Sequence, residues 1–159
     1  MATSAGGSGG DFLQRKSDLN KARTGAPRIA DVLVVDDVAA DITRLAARLR
    51  IVLGYTVDIR TAQTLSRAVD EVIAKVPDLV MLDDHLDASR DRACEGIPFL
   101  RRTGYAGPIV VVSGLVTRKR RAELMAIGAD GVIHKDDLNS ASITEALDGF
   151  ASRSSRQSP

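Results

Sequence analysis

Carboxylates, a hydroxyl and a lysine stand where the apolar runs of this chain stop. Asp36 and Asp37 follow residues 31–35 (DVLVV), and Asp83 and Asp84 follow 78–82 (DLVML). Ser113 follows 109–112 (IVVV), and Lys135, Asp136 and Asp137 follow 131–134 (GVIH). If these stops lie together, charge repulsion decides the chemistry. Two carboxylates ~5 Å apart repel by roughly 3 kcal/mol at an effective dielectric of about 20. Three raise one another's pKa or call for a cation. Magnesium suits such a place because it is hard, takes oxygen ligands and keeps several waters beside one or two carboxylates. Lys135 would add a second positive charge and Ser113 a hydroxyl donor. An aspartate between a metal and a lysine is a carboxylate nucleophile fit for phosphoryl transfer. Metal, ammonium and hydroxyl together would neutralise the three equatorial oxygens of an in-line transition state.

The elements that must position these groups alternate between strand and helix patterns five times. Residues 31–35, 78–82 and 109–112 are continuous apolar runs rich in branched side chains, the signature of strands buried on both faces. Residues 55–59 (YTVDI) form a weaker, alternating strand, and residues 131–134 a fifth. Ile42, Leu45, Leu49 and Val52 recur at helical spacing before Gly54, a plausible stop. Leu65, Ala68, Val69 and Val72 mark a second helix ending near Pro77. A polar loop from Asp84 to about residue 92 leads to a third helix around 97–102. The fourth helix falls near 118–127, closed by Gly128, and the last near 140–151, with Ser140 a candidate N-cap. Strands alternating with helices of this length make an α/β fold, a parallel sheet covered on both faces. In such sheets ligands bind at the carboxyl ends of the strands, near the point where strand order reverses. All the polar stops named above lie on that edge.

Composition bounds the rest. Apolar residues make up 44% of the chain but aromatics only 3%, so the core must be aliphatic. Lys plus Arg number 22 against 21 Asp plus Glu, which leaves no global field to attract DNA or a membrane surface. Cys94 is the single cysteine, so no intrachain disulfide forms. No apolar run reaches the roughly 18 residues of a membrane span and no signal pattern opens the chain, so a cytoplasmic protein without membrane insertion is expected. Residues 1–28, beginning MATSAGGSGG, read as a flexible N-terminal arm, residues 29–152 as one domain, and residues 153–159 as a disordered tail.

The segments VLVVDD, DLVMLD, PIVVVSG and GADGVIHK, in this order, resemble the receiver domains of two-component response regulators. The separations of 30 residues from Asp83 to Ser113 and 22 from Ser113 to Lys135 are typical of that family. The resemblance covers about residues 30–150. It implies a flavodoxin-like, doubly wound five-stranded parallel sheet of strand order 2-1-3-4-5. It also implies that Asp83 is the phosphoacceptor, that Ser113 hydrogen-bonds the phosphoryl group, and that Lys135 pairs with it. Mg2+ would be held by Asp37 directly, Asp36 through water, Asp83, and the backbone carbonyl of His85. The partners implied are a sensor histidine kinase or histidine phosphotransfer protein, and a downstream protein that reads the face of helix 4 and strand 5. Homodimerisation is left open. With no second domain following, a stand-alone regulator that signals by protein–protein contact is expected. It would be no enzyme beyond its own phosphorylation and dephosphorylation.

Several positions depart from the family pattern. Asp136 stands where a proline usually follows the lysine, and Val132 where an aromatic often swings on activation. The loop from Asp83 to Gly96 is about five residues longer than usual. Asp84, normally apolar in this family, should point away from the metal site because successive strand residues face opposite sides, and is free to pair with an arginine. The His85 side chain and Leu115 are expected to flank the path of a hydrolytic water, and His134 to be a neutral, satisfied side chain facing a helix. Arg118, Lys119, Arg120 and Arg121 open the fourth helix, where cations run against the macrodipole. That placement points to an anionic partner, and a loose resemblance to receiver-like proteins that bind cyclic di-GMP through arginine-rich segments in this region implies the alternative function, a phosphorylation-independent adaptor that binds such an anion there. A turnover phosphatase is disfavoured, because Ala39 stands where the second aspartate of such enzymes would.

Overall fold

The computed structural model describes residues 28–86 and 91–157. Residues 1–27 of the N-terminal arm read from the sequence over 1–28 lie outside the described residues, as do 87–90 and the last two positions. Five strands form one parallel sheet: β1 (Asp31–Val35), β2 (Asp58–Ala62), β3 (Leu79–Asp83), β4 (Ile109–Ser113) and β5 (Gly131–His134). In this numbering the spatial order is β2-β1-β3-β4-β5, every pairing is parallel, and the reversal falls between β1 and β3. The helices are α1 (Ala39–Leu53), α2 (Leu65–Ala74), α3 (Ala93–Arg102), α4 (Arg118–Ala126) and α5 (Ser140–Gln157). This is the doubly wound receiver architecture expected from the sequence.

Strand alternation sorts the core into two layers. Val32, Val34, Leu79, Met81, Val110, Val112 and Ile133 face one side, where Leu45, Leu49 and Leu53 of α1 and Ile143, Ala146 and Leu147 of α5 cover them. Leu33, Val35, Val80, Leu82, Ile109, Val111 and Val132 face the other, under Leu65, Ala68, Val72, Ile97, Leu100 and Leu124 of α2, α3 and α4. Among the described residues the one buried aromatic is Tyr105, whose hydroxyl donates to the Pro108 carbonyl at 3.0 Å. The core is aliphatic, as the composition requires.

Four boundaries differ from the sequence reading. The edge strand β2 occupies Asp58–Ala62 rather than 55–59. Among the described residues it pairs with β1 alone, and Arg60 fixes its register through Asp31 Oδ1 (2.9 Å) on β1 and Glu71 Oε1 (3.2 Å) on α2. The polar loop after β3 contains a short antiparallel ladder, His85–Leu86 against Asp91–Arg92, and α3 starts directly behind it. The N-cap of α5 is Asn139, not Ser140: Asn139 Oδ1 accepts from Ser142 N–H at 2.9 Å and Ser142 Oγ accepts from Asn139 N–H at 3.0 Å, a reciprocal capping box. Finally, α5 runs on through the polar stretch read as a frayed tail. Arg153 fastens it there, donating to the Gly128 carbonyl at 3.1 Å and pairing with the buried Asp130 carboxylate.

Gly54 and Gly128 close α1 and α4 with φ of +107° and +116°, so the stops read from the sequence rest on backbone conformations that favour glycine. Gly131 matters for a different reason. A Cβ there would meet Ala146 Cβ at 2.6 Å, so α5 can approach β5 this closely only over a glycine. Gly131→Ala is therefore expected to cost about 1–3 kcal/mol through overpacking, measured by urea unfolding. A variant as stable as the parent would contradict this close approach.

Candidate functional site

Strand parity decides which polar groups meet. Asp36 and Asp83 continue the rows of Val34 and Met81, and Lys135 that of Ile133, so all three emerge on the α1/α5 side of the sheet. Ser113 and Asp84 continue the rows of Val111 and Leu82 on the other side. The β1–β3 pairing places the ends of the two acidic strands next to each other. Carboxylate oxygens of Asp36, Asp37 and Asp83 consequently lie within 4.8 Å of one another. Lys135 reaches over from β5 and places its Nζ 3.4 Å from Asp83 Oδ1 and 3.5 Å from Asp36 Oδ2.

The electrostatics follow from this crowding. Burial, and after it the charge of Asp36, push the Asp83 carboxyl up to about 6, against the opposing pull of Lys135. Burial likewise raises Asp36, although its carboxylate accepts the Val38 N–H at 2.9 Å. Burial works to lower the Lys135 ammonium, yet its hydrogen bond to Asp41 and the charges of Asp83 and Asp36 outweigh that and hold it above the usual lysine range. One ammonium thus incompletely compensates the carboxylates around it. Three oxygen donors with residual negative charge suit a hard divalent cation, so Asp36, Asp37 and Asp83 fit Mg2+ by geometry and by ligand type.

Other residues named from the sequence are placed as follows. Ser113 ends β4 beside β3, buried, with its hydroxyl donating to the Leu115 carbonyl at 2.9 Å and accepting Leu115 N–H at 3.2 Å. His85 begins the short ladder two residues beyond Asp83, with its side chain largely exposed and Nδ1 3.7 Å from Asp84 Oδ2. Leu115 is also exposed. The His134 ring is satisfied by backbone groups: Nδ1 accepts Asp136 N–H at 3.1 Å, which leaves Nε2 to donate to the Gly114 carbonyl at 2.8 Å. That ring joins the turn after β5, a 3-10 turn over Lys135–Asp137, to the loop after β4.

Asp84 behaves as strand alternation requires. Buried on the α4 side, it takes a bidentate grip from Arg120, with Nη2 to Oδ1 at 2.5 Å and Nε to Oδ2 at 3.1 Å. Of the four cations opening α4, Arg120 is therefore committed inward, while Arg118, Lys119 and Arg121 are exposed. Asp41, in the first turn of α1, was not singled out by the sequence. It lies 2.8 Å from Lys135 Nζ, the shortest of the lysine's three ion pairs. A lone acid in a first helical turn looks like ordinary dipole compensation, so only its long-range partner reveals it.

A family model described as the response regulator receiver domain matches residues 32–148. The nitrogen assimilation regulatory protein NtrX of Azorhizobium caulinodans is 36% identical over 84 residues, which are 53% of this chain and 18% of that protein. The chain thus matches a small part of that relative's length. Among solved structures, NtrX from Brucella abortus superposes with a TM-score of 0.67 at 23% identity, over 80% of this chain and 29% of that one. The N-terminal domain of a response regulator/sensory box/GGDEF three-domain protein from Carboxydothermus hydrogenoformans gives 0.63 at 19% identity, over 79% and 98%. The BeF3-activated N-terminal receiver domain of Klebsiella pneumoniae RstA gives 0.60 at 23% identity, over 76% and 97%. These structural likenesses show the fold.

The raised Asp83 carboxyl carries a pH dependence. A group whose folded pKa lies above its unfolded value favours the fold when protonated, and that contribution is lost as pH rises through the folded pKa, here about 6. In chelator at pH about 7.5, Asp83→Asn is expected to be more stable than the parent by about 2 kcal/mol. The gain should shrink as pH falls toward about 4. Urea unfolding across that pH range checks both the sign and the slope.

Proposed function

The chain belongs to the response regulator receiver domain family, and from that membership we propose that it is a phosphorylatable switch with Asp83 as the acceptor. The observation that carries the reading is the meeting of the Asp36, Asp37 and Asp83 oxygens within 4.8 Å, with Lys135 paired to two of them. In this reading Asp36, Asp37, Asp83 and the His85 carbonyl hold Mg2+, which when bound neutralises charge on the transferred phosphoryl oxygens.

The chain's own groups do the remaining work. A carboxylate oxygen of Asp83 attacks phosphorus and forms a P–O bond. The donor's P–N bond, from a phosphohistidine of a sensor kinase or phosphotransfer protein, breaks as the imidazole leaves with its electron pair. Lys135 takes up an oxygen of the attached group. Ser113 exchanges its present partner, the Leu115 carbonyl, for another. That exchange would move the loop joining β4 to α4, and a downstream protein reading the α4–β5 face would sense it as a shift between two pre-existing states. Val132 on β5 packs in the core at 1% exposure, so no aromatic at that position reports the change. Turnover is confined to the domain's own phosphorylation and hydrolysis, and the cytoplasm, where kinase and ATP meet, is the compartment this chemistry needs.

Incubation with acetyl phosphate or phosphoramidate and Mg2+, followed by intact-protein mass spectrometry, tests the reading. The parent is expected to gain one phosphoryl group, and Asp83→Asn none. No gain in the parent, or an equal gain in both, would overturn Asp83 as the acceptor.

A further inference from the structure

Lys135 is held from α1 at both its ends, by residues the phosphoryl-transfer reading does not use. Its ammonium lies 2.8 Å from Asp41 Oδ2, nearer than to Asp83 at 3.4 Å or Asp36 at 3.5 Å. The other Asp41 oxygen accepts from Arg44 Nη2 at 2.9 Å. Further along α1, Arg48 Nη1 donates to the Lys135 carbonyl at 3.0 Å. Positions 41, 44 and 48 share one helical stripe by their spacing. That stripe lies against the turn where this chain carries Asp136 in place of the family's usual proline. Three carboxylates therefore surround an ammonium that has three donors and no acceptor.

We propose that Asp41 is a positioning residue that sets how strongly Lys135 grips a phosphoryl group on Asp83, by keeping part of the ammonium's hydrogen-bonding capacity on α1. The proposal rests on the receiver reading above. A phosphoryl group arriving on Asp83 brings negative charge and oxygens that want the same ammonium. Asp41 opposes it twice: it competes for the lysine's donors, and its own carboxylate repels the newcomer. For a divalent cation the same carboxylate acts with the opposite sign. It adds negative charge beside the acidic pocket and draws Lys135 off Asp36 and Asp83, leaving their oxygens to the metal. Removing the Asp41 charge must then strengthen anion binding and weaken cation binding. Damage to the fold would weaken both.

The test uses the full chain with beryllofluoride as the phosphoryl analogue, titrated by fluorine NMR at saturating Mg2+, and Mg2+ alone titrated by calorimetry. Asp41→Asn is expected to bind beryllofluoride about five-fold more tightly and Mg2+ about two-fold more weakly than the parent. Asp41→Glu, which keeps the charge, should stay within about two-fold of the parent in both. If the parent binds beryllofluoride and Asp41→Asn binds it equally or more weakly, the role of Asp41 is overturned and the receiver reading stands. If the parent with Mg2+ binds no beryllofluoride, both fall.

Discussion

Like charges gathered at one edge of a sheet must be offset, and the functional architecture of this chain depends on how that is done. Three carboxylates from the ends of β1 and β3 face one ammonium from the turn after β5. The parallel register is what creates the problem, because it brings every strand's carboxyl end to the same side. It also supplies the answer, since the row that buries Ile133 delivers Lys135 to the same face as Asp36 and Asp83. The compensation is partial, and the raised carboxyl of Asp83 is its direct sign. A site left with uncompensated negative charge is one that a hard cation can complete.

The scaffold holds this unfavourable cluster because so little else in it is frustrated. The central strands β1, β3 and β4 are aliphatic on both faces, and each layer of helices is fitted to its own set of strand residues. The edge strand, paired among the described residues on one side only, is tied in by Arg60 through Asp31 and Glu71. At the opposite edge of the sheet, α5 closes on β5 over Gly131 and is fixed by Arg153 to Asp130. Local strain at functional sites is affordable when packing elsewhere is consistent across levels.

Much of this was legible in the sequence, for identifiable reasons. Buried parallel strands leave continuous apolar runs, so β1, β3 and β4 announce themselves, and the polar residues at their stops announce the site. Asp84's turn toward an arginine was legible too, because strand alternation alone sends it away from Asp83. What escaped notice depends on distance along the chain. The edge strand β2 has a weak pattern because only one side is paired, so its bounds slipped. Asp41 meets Lys135 across 94 positions, and Arg153 meets Gly128 across 25. Neither pairing leaves a local trace. The N-cap of α5 fell one residue early because Ser140 and Asn139 are both good caps, and only the reciprocal bond with Ser142 separates them.

The end of β3 carries a further consequence. Asp83 and Asp84 are neighbours in the chain, yet the charges that move Asp83 are those of Asp36, Lys135 and Asp37, while Asp84 is locked to Arg120 on α4. The pleat works as an electrical partition, with one peptide bond separating two compartments that answer to different counter-ions. The repeated letter in the sequence is therefore not a doubled motif. One aspartate is left able to react, and its twin serves as a rivet between the central strand and the helix beneath it.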